Sequence, residues 1–132
     1  MRLVRFSAAF VLAFVGIVMT GSTAEAHQCI SVELVEVPQA VVAGETARVA
    51  AAVTNCGEAT RAGIEFYLLN EDGRIHVGSD RVKLRHGQAE RLHSNLRIPP
   101  NTRAGRYTLM MIGRTPSGFT SFDTEVVHVR NP

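Results

Sequence analysis

Apolar and polar residues alternate with a period of two through most of the chain after residue 30. The alternation is clearest over residues 47–54, and Asn55-Cys56-Gly57 then ends the run with residues that favour turns. A period of two places successive side chains on opposite faces of a β-strand. No segment carries the sustained apolar stripe and caps of an amphipathic helix. The pattern therefore limits the chain to an all-β fold.

Runs of this kind recur at short intervals along the chain. They predict strands over residues 30–35, 47–54, 64–68, 74–78, 81–84, 89–98, 107–112 and 122–130. Turn residues lie between several of them, at Asn70-Glu71-Asp72-Gly73, Arg85-His86-Gly87, Pro99-Pro100-Asn101 and Thr115-Pro116-Ser117-Gly118. Many short strands at regular spacing are typical of an immunoglobulin-like antiparallel β-sandwich, here of seven to eight strands.

Residues 1–26 differ from the rest and are predicted to be an export signal. Arg2 and Arg5 give a basic start, an apolar run follows over residues 8–19, and Ala24-Glu25-Ala26 matches an A-x-A cleavage pattern. The apolar run is shorter than the roughly 20 residues that a bilayer-spanning helix needs. We therefore expect a periplasmic or secreted domain over residues 27–132, without a membrane span after cleavage. An uncleaved N-terminal anchor is the alternative.

Composition excludes several classes of protein. The chain has 132 residues and a formal net charge of +2, and removing Arg2, Arg5 and Glu25 leaves 12 basic and 11 acidic residues. That length fits one domain, since domains commonly have about 100–150 residues. The near-balanced charge argues against a nucleic-acid partner. Two cysteines are too few for a disulfide-dense scaffold or a four-cysteine zinc site.

Cys29 and Cys56 give a check on how the first two strands pair. If these strands are antiparallel and the cysteines are opposite one another, the connection is centred between residues 42 and 43, where the alternation is interrupted. The same register predicts the pairs Ile30–Asn55, Val32–Val53 and Val37–Arg48. Because an exported chain folds in an oxidising compartment, we predict a Cys29–Cys56 disulfide, with two free thiols as the alternative.

Four segments resemble bacterial CARDB and fibronectin-III-type domains. They are Gly44-Glu45-Thr46, Val49–Gly57, Ala62–Leu68 and Ala104–Leu109. In those families a G-E opening precedes a strand that ends in V-x-N-x-G, and an A-G-x-Y-x-L step opens a late strand. The resemblance implies the immunoglobulin-like sandwich and a structural tyrosine corner at Tyr107. It implies no particular activity, because such domains serve adhesion, spacing and binding alike.

His27 is the first residue of the predicted mature chain. There its α-amine and ring nitrogen would form a chelate suited to copper, which resembles the first ligand of periplasmic copper carriers and copper monooxygenases. The carriers add a closely spaced aspartate and histidine late in the chain. Here the candidates Asp123 and His128 are five residues apart, so a continuous strand would point them to opposite faces. The late ligand pair of the carriers is therefore absent. Periplasmic copper binding through His27 is the alternative function, and no other cofactor is expected. The other histidines predicted to be surface side chains are His76, His86 and His93.

Tyr67, Leu69 and Met110 alternate out of phase with their inward-facing neighbours. In a two-sheet sandwich they would face outward, and they would form one apolar patch if their strands were adjacent. Such patches often mark surfaces for a protein partner or a homo-oligomer, unless a loop covers them. No nucleophile elbow or phosphate-binding loop is present, so no catalytic residue is predicted. The predicted function is that of an exported, non-catalytic binding or accessory module.

Overall fold

The computed structural model describes residues 28–132, which form eight strands. The predicted export signal and His27 lie outside this range. The strands are β1 (Ile30–Glu36), β2 (Ala40–Val42), β3 (Thr46–Asn55), β4 (Thr60–Asn70), β5 (Gly73–Leu84), β6 (Ala89–Arg97), β7 (Gly105–Arg114) and β8 (Thr120–Arg130). Within the described residues there is no helix, and hence none with the length and apolarity to span a bilayer.

The strands form two sheets that pack face to face. One has three strands in the order β1-β3-β6, and the other has five in the order β2-β8-β7-β4-β5. Neighbouring strands are antiparallel except for β2 and β8, which are parallel. The predicted immunoglobulin-like sandwich is confirmed, because two largely antiparallel sheets with connections that cross between them define that architecture.

The core lies between the sheets and is built from alternate residues of each strand. In β4 these are Ala62, Ile64, Phe66 and Leu68, all of which are buried. β7 packs closely against β1, and a Cβ atom at Gly113 would lie 2.7 Å from Cγ1 of Val32. A glycine at this position therefore permits the close approach of the two sheets.

The register between β1 and β3 follows the prediction until a β-bulge. Ile30 pairs with Asn55 and Val32 pairs with Val53, but the register shifts between Leu34 and Glu36. The predicted Val37–Arg48 pair is therefore wrong. The extra residue redirects the chain away from β3, and the connection forms β2, which pairs with β8 in the other sheet. No simple hairpin links β1 to β3.

A second bulge and a longer strand also differ from the prediction. Residues 73–84 form the single strand β5, where two strands were predicted. The register shifts opposite Phe66 and Tyr67, which pair with Gly78 and His76. Val77 is consequently the extra residue. Because β5 is an edge strand and carries polar side chains within it, its alternation is weaker than that of the central strands.

One end of the sandwich is held by a disulfide and a buried amide. Cys29 and Cys56 are joined with their Cα atoms 5.0 Å apart. The adjacent Asn55 side chain is fully buried. Its amide nitrogen lies 3.0 Å from the carbonyl oxygens of Glu58 and Arg85 and 3.3 Å from that of Leu84, while its Oδ1 accepts from the Gly57 N–H at 2.9 Å. These bonds fix the end of β3 to the turn that joins β5 and β6.

Candidate functional site

The candidate site is the outer face of the five-stranded sheet, formed by the side chains that alternate with the core positions. The structure places Tyr67 of β4 directly opposite Met110 of β7, and Met110 opposite Thr124 of β8. Leu69 lies in the next row, opposite Thr108. The three residues predicted from their phase are therefore adjacent on this face.

The structure places three further apolar residues beside Tyr67, Leu69 and Met110. We use "apolar patch" for Tyr67, Leu69, Met110, Ile112, Phe122 and Val126, which lie on three neighbouring strands. Phe122 is 66% exposed and Val126 is 44% exposed. The prediction missed both, although they alternate out of phase with the buried Val127 and Val129 of β8. The same phase argument that found Tyr67 would have found them.

The Tyr67 ring is held in place by two neighbours from β5. The guanidinium carbon of Arg74 lies 4.9 Å from the centre of the Tyr67 ring. The ring of His76 meets it edge-on, with the ring centres 5.3 Å apart. A cation over an aromatic face contributes about 0.5–1 kcal/mol at an exposed site. The ring is thus ordered before any partner arrives, which lowers the entropy cost of binding.

His76 also forms a small polar network beside the apolar patch. Its Nε2 atom lies 2.5 Å from Oε1 of Glu65 and 2.9 Å from Oγ of Ser79, and the Ser79 hydroxyl donates to Glu65 at 3.0 Å. His76 and Ser79 are an odd number of residues apart and share a face because the bulge at Val77 lies between them. Both contacts use one ring nitrogen, whereas a catalytic serine–histidine–acid relay uses two.

Charge on the outer face is strongly asymmetric. At one end four cationic side chains surround Gly63, and we call them the basic cluster: Arg61, Arg81, Lys83 and Arg114. At the opposite end are Arg74, Arg106 and Arg130. Glu65 is the one carboxylate that the described part of the face carries, and it already contacts His76 and Ser79. The face is therefore cationic at both ends of the apolar patch.

Of the remaining predicted residues, His128 lies on this face, and the others lie away from it or outside the described range. Tyr107 is buried and donates its hydroxyl hydrogen to the Arg103 carbonyl oxygen at 2.7 Å, which is the geometry of a tyrosine corner. Asp123 points toward β1 and accepts from the Leu34 N–H at 2.8 Å. His128 is on the opposite face of β8 from Asp123, as the odd spacing predicted, and therefore lies on the outer face in register with Arg106. His27 is not described, and residues 28–132 hold no group of three or more potential metal-ligating histidine, cysteine, aspartate or glutamate side chains.

The other histidines predicted to be surface side chains are exposed. His86 contacts the Gly57 carbonyl oxygen at 2.6 Å through Nδ1. His93 lies on the exposed side of β6, opposite Ala50. His76 is half-exposed, but its network with Glu65 and Ser79 was not predicted.

Comparison with known proteins gives structural matches alone. No family model matches the chain, and no curated protein matches it. A β-glucosidase from Listeria innocua matches with a TM-score of 0.56 and 15% identity over 80% of this chain and 16% of that chain. The sporulation control protein Spo0M from Bacillus subtilis matches with a TM-score of 0.56 and 16% identity over 76% of this chain and 49% of that chain.

The match with a CARDB domain extends over nearly the whole length of that domain's chain. This domain, from a Pyrococcus furiosus protein in complex with di-metal ions, has a TM-score of 0.51 and 15% identity over 83% of this chain and 97% of that chain. The present chain thus shares the CARDB-type fold that its sequence resembles, but it spans only about a sixth of the β-glucosidase. At these identities the likeness concerns the fold and not the function.

Proposed function

We propose that this chain is an exported, non-catalytic binding module that docks a protein partner on the outer face of its five-stranded sheet. The apolar patch carries the proposal, because it exposes Phe122 and Val126 on a sheet surface beside an ordered tyrosine. Exposed apolar surface of this kind marks contact sites. A large aromatic side chain at the centre of a surface is the residue type that most often dominates binding energy.

The charges around the apolar patch favour a different protein over a second copy of this chain. Both ends of the face are cationic. Two copies that met face to face about a twofold axis would place cationic ends against cationic ends, and like charges brought together across an interface are unfavourable. The complementary occupant is a protein with an apolar centre and an acidic rim.

Two further observations support the export and binding parts of the proposal. The Cys29–Cys56 disulfide is of a kind that persists in oxidising compartments, in agreement with the predicted signal at residues 1–26. The His76 network lacks the two-nitrogen arrangement of a serine hydrolase. A binding role also fits a fold whose exposed sheet faces are available for contact.

We predict that Phe122→Asp weakens partner binding at least about tenfold, because a carboxylate would be buried against apolar surface and lose its water. The matched control is Val35→Asp, which makes the same change at a residue that is 41% exposed on β1 of the other sheet. Each immobilised variant is incubated with the exported-protein fraction of the source cells. The protein retained by the unchanged chain is then purified, and its dissociation constant is measured for each variant.

The two variants distinguish the outcomes. The proposed face is supported if the Val35→Asp variant still binds the partner and the Phe122→Asp variant does not. Binding of the partner should also weaken as added salt screens its acidic rim. Equal binding by both variants would show that the partner docks elsewhere. If sedimentation shows a dimer that Phe122→Asp dissociates, the occupant is a second copy and the proposed partner is wrong.

A further inference from the structure

The basic cluster is formed by side chains from three adjacent strands. Arg61 of β4 is opposite Lys83 of β5, and Gly63 of β4 has Arg81 of β5 on one side and Arg114 of β7 on the other. Neighbouring strands are about 4.8 Å apart, so the flanking strands β5 and β7 are only about 10 Å apart. Four positive charges therefore lie within reach of one small ligand.

The cluster has no acidic partner in the described part of the chain. Two other arginines of the described residues do have carboxylate partners: Arg91 contacts Glu36 at 3.8 Å and Arg103 contacts Asp72 at 4.0 Å. Residues 28–132 place no carboxylate within 4.0 Å of the four cationic groups of the cluster. Uncompensated like charges at this separation repel one another, and a bound anion would relieve that repulsion.

Open space lies among these side chains. A cavity of about 310 Å³ is lined by Arg61, Arg81, Val82 and Lys83. A Cβ atom at Gly63 would meet nothing within 4 Å, so the space above this glycine is free. Glycine inside a strand weakens it and often marks a place where a ligand approaches the backbone. The exposed side of Gly63 thus forms an open floor between Arg81 and Arg114.

We propose that the basic cluster binds a phosphate dianion, either as the free ion or as the monoester group of a small molecule. Three guanidinium groups offer many more N–H donors than the two oxygens of a carboxylate can accept. A phosphate group carries close to two charges and has three or more acceptor oxygens, so donors from several strands can bind it together. The site does not depend on the proposed protein partner, since the apolar patch contributes nothing to it.

The proposal is tested by titrating the chain alone with inorganic phosphate and with glucose 6-phosphate. The backbone amide NMR signals are followed at low ionic strength and at about pH 8, above the second pKa of phosphate at about 6. We expect saturable shifts at Gly63, Arg81 and Arg114. Tighter binding of glucose 6-phosphate would identify the monoester as the preferred form, and tighter binding of inorganic phosphate would identify the free ion.

Two double variants with the same charge change test the location of the site. Arg81→Gln with Lys83→Gln should weaken phosphate binding at least about tenfold, because two of the four charges are lost. Arg106→Gln with Arg130→Gln removes the same charge from the opposite end of the same face and should leave the affinity within about twofold. All four side chains are exposed, and thermal unfolding shows whether each variant is folded.

Three results would overturn the proposal. Shifts that rise without saturation would indicate screening of the whole face rather than a site. Equal weakening of phosphate binding in the two double variants would also indicate screening of the whole face rather than a site. Acetate that binds as tightly as phosphate at matched ionic strength would show that the cluster does not select a dianion. A Phe122→Ser variant, which removes the aromatic ring without placing a carboxylate diagonal to Arg114, should bind phosphate normally, so failure of the proposed partner face leaves this test intact.

Discussion

Replacing both cysteines with alanine should lower the free energy of unfolding by about 3–4 kcal/mol in the chain-entropy model. The disulfide closes a segment with a sequence separation of 27 between Cys29 and Cys56, and losing it gives the unfolded chain more conformational freedom. It also releases the start of β1, an edge strand of the three-stranded sheet. Urea unfolding of the unchanged chain and of the Cys29→Ala, Cys56→Ala variant measures the difference.

Reduction of the unchanged chain provides the matching control. The double variant and the reduced chain both lack the cross-link between residues 29 and 56, so their losses of stability should be similar. A loss below about 1 kcal/mol in both experiments would be far under the value expected for such a loop. It would show that the cross-link does not constrain the unfolded chain as proposed.

Asn55→Ala should destabilise the fold by about 3–5 kcal/mol. The Asn55 side chain is fully buried, and its amide contacts carbonyl groups of Glu58, Leu84 and Arg85 and the N–H of Gly57. Truncation removes the acceptor of the Gly57 N–H and the donor to the Leu84 and Glu58 carbonyl oxygens, whereas the Arg85 oxygen keeps the Gln88 N–H at 3.0 Å. Each buried group that is left without a partner costs about 1–3 kcal/mol. Equilibrium unfolding by urea or heat gives the change directly.

Two further substitutions separate the hydrogen bonds of Asn55 from its shape. Asn55→Asp keeps the shape and the acceptor for Gly57, but an oxygen replaces the donor that faces three carbonyl groups. It should therefore destabilise the fold about as much as alanine. Asn70→Ala removes one exposed contact with the Asp72 N–H and should cost less than about 1 kcal/mol. Native stability in the Asn55→Asp variant would contradict this account of the buried amide.

Much of the fold could be predicted from the sequence because strand alternation reports directly on burial. The period of two identified the central strands, and the pairing of Val32 with Val53 followed from the positions of the cysteines. The errors occur where one extra residue shifts the register, at the bulges in β1 and at Val77 in β5. A bulge reverses which face later residues occupy, and the sequence carried no sign of either one.

The candidate site was predicted only in part, for two physical reasons. Tyr67 and Met110 were found by their phase. The phase of Phe122 also shows that it faces outward, but its position next to the strand of Met110 depends on the sheet order. The charge asymmetry is also invisible in composition, since 12 basic and 11 acidic residues after the predicted signal nearly cancel. Folding gathers Arg61, Arg81 and Arg114 from distant segments onto one face. Copper binding by His27 stays a prediction, because that residue lies outside the described range.

The most direct test of the proposed binding face is a photo-cross-link from Phe122 in cells that naturally produce the protein. A benzoylphenylalanine is incorporated in place of Phe122, and a control chain carries it in place of Val35 on the other sheet. Adducts are identified by mass spectrometry after irradiation. The account predicts one main adduct at the first position, with a different and acidic protein, and none with that protein at the second. A self-adduct at the first position, no adduct there, or the same adducts at both positions would contradict it.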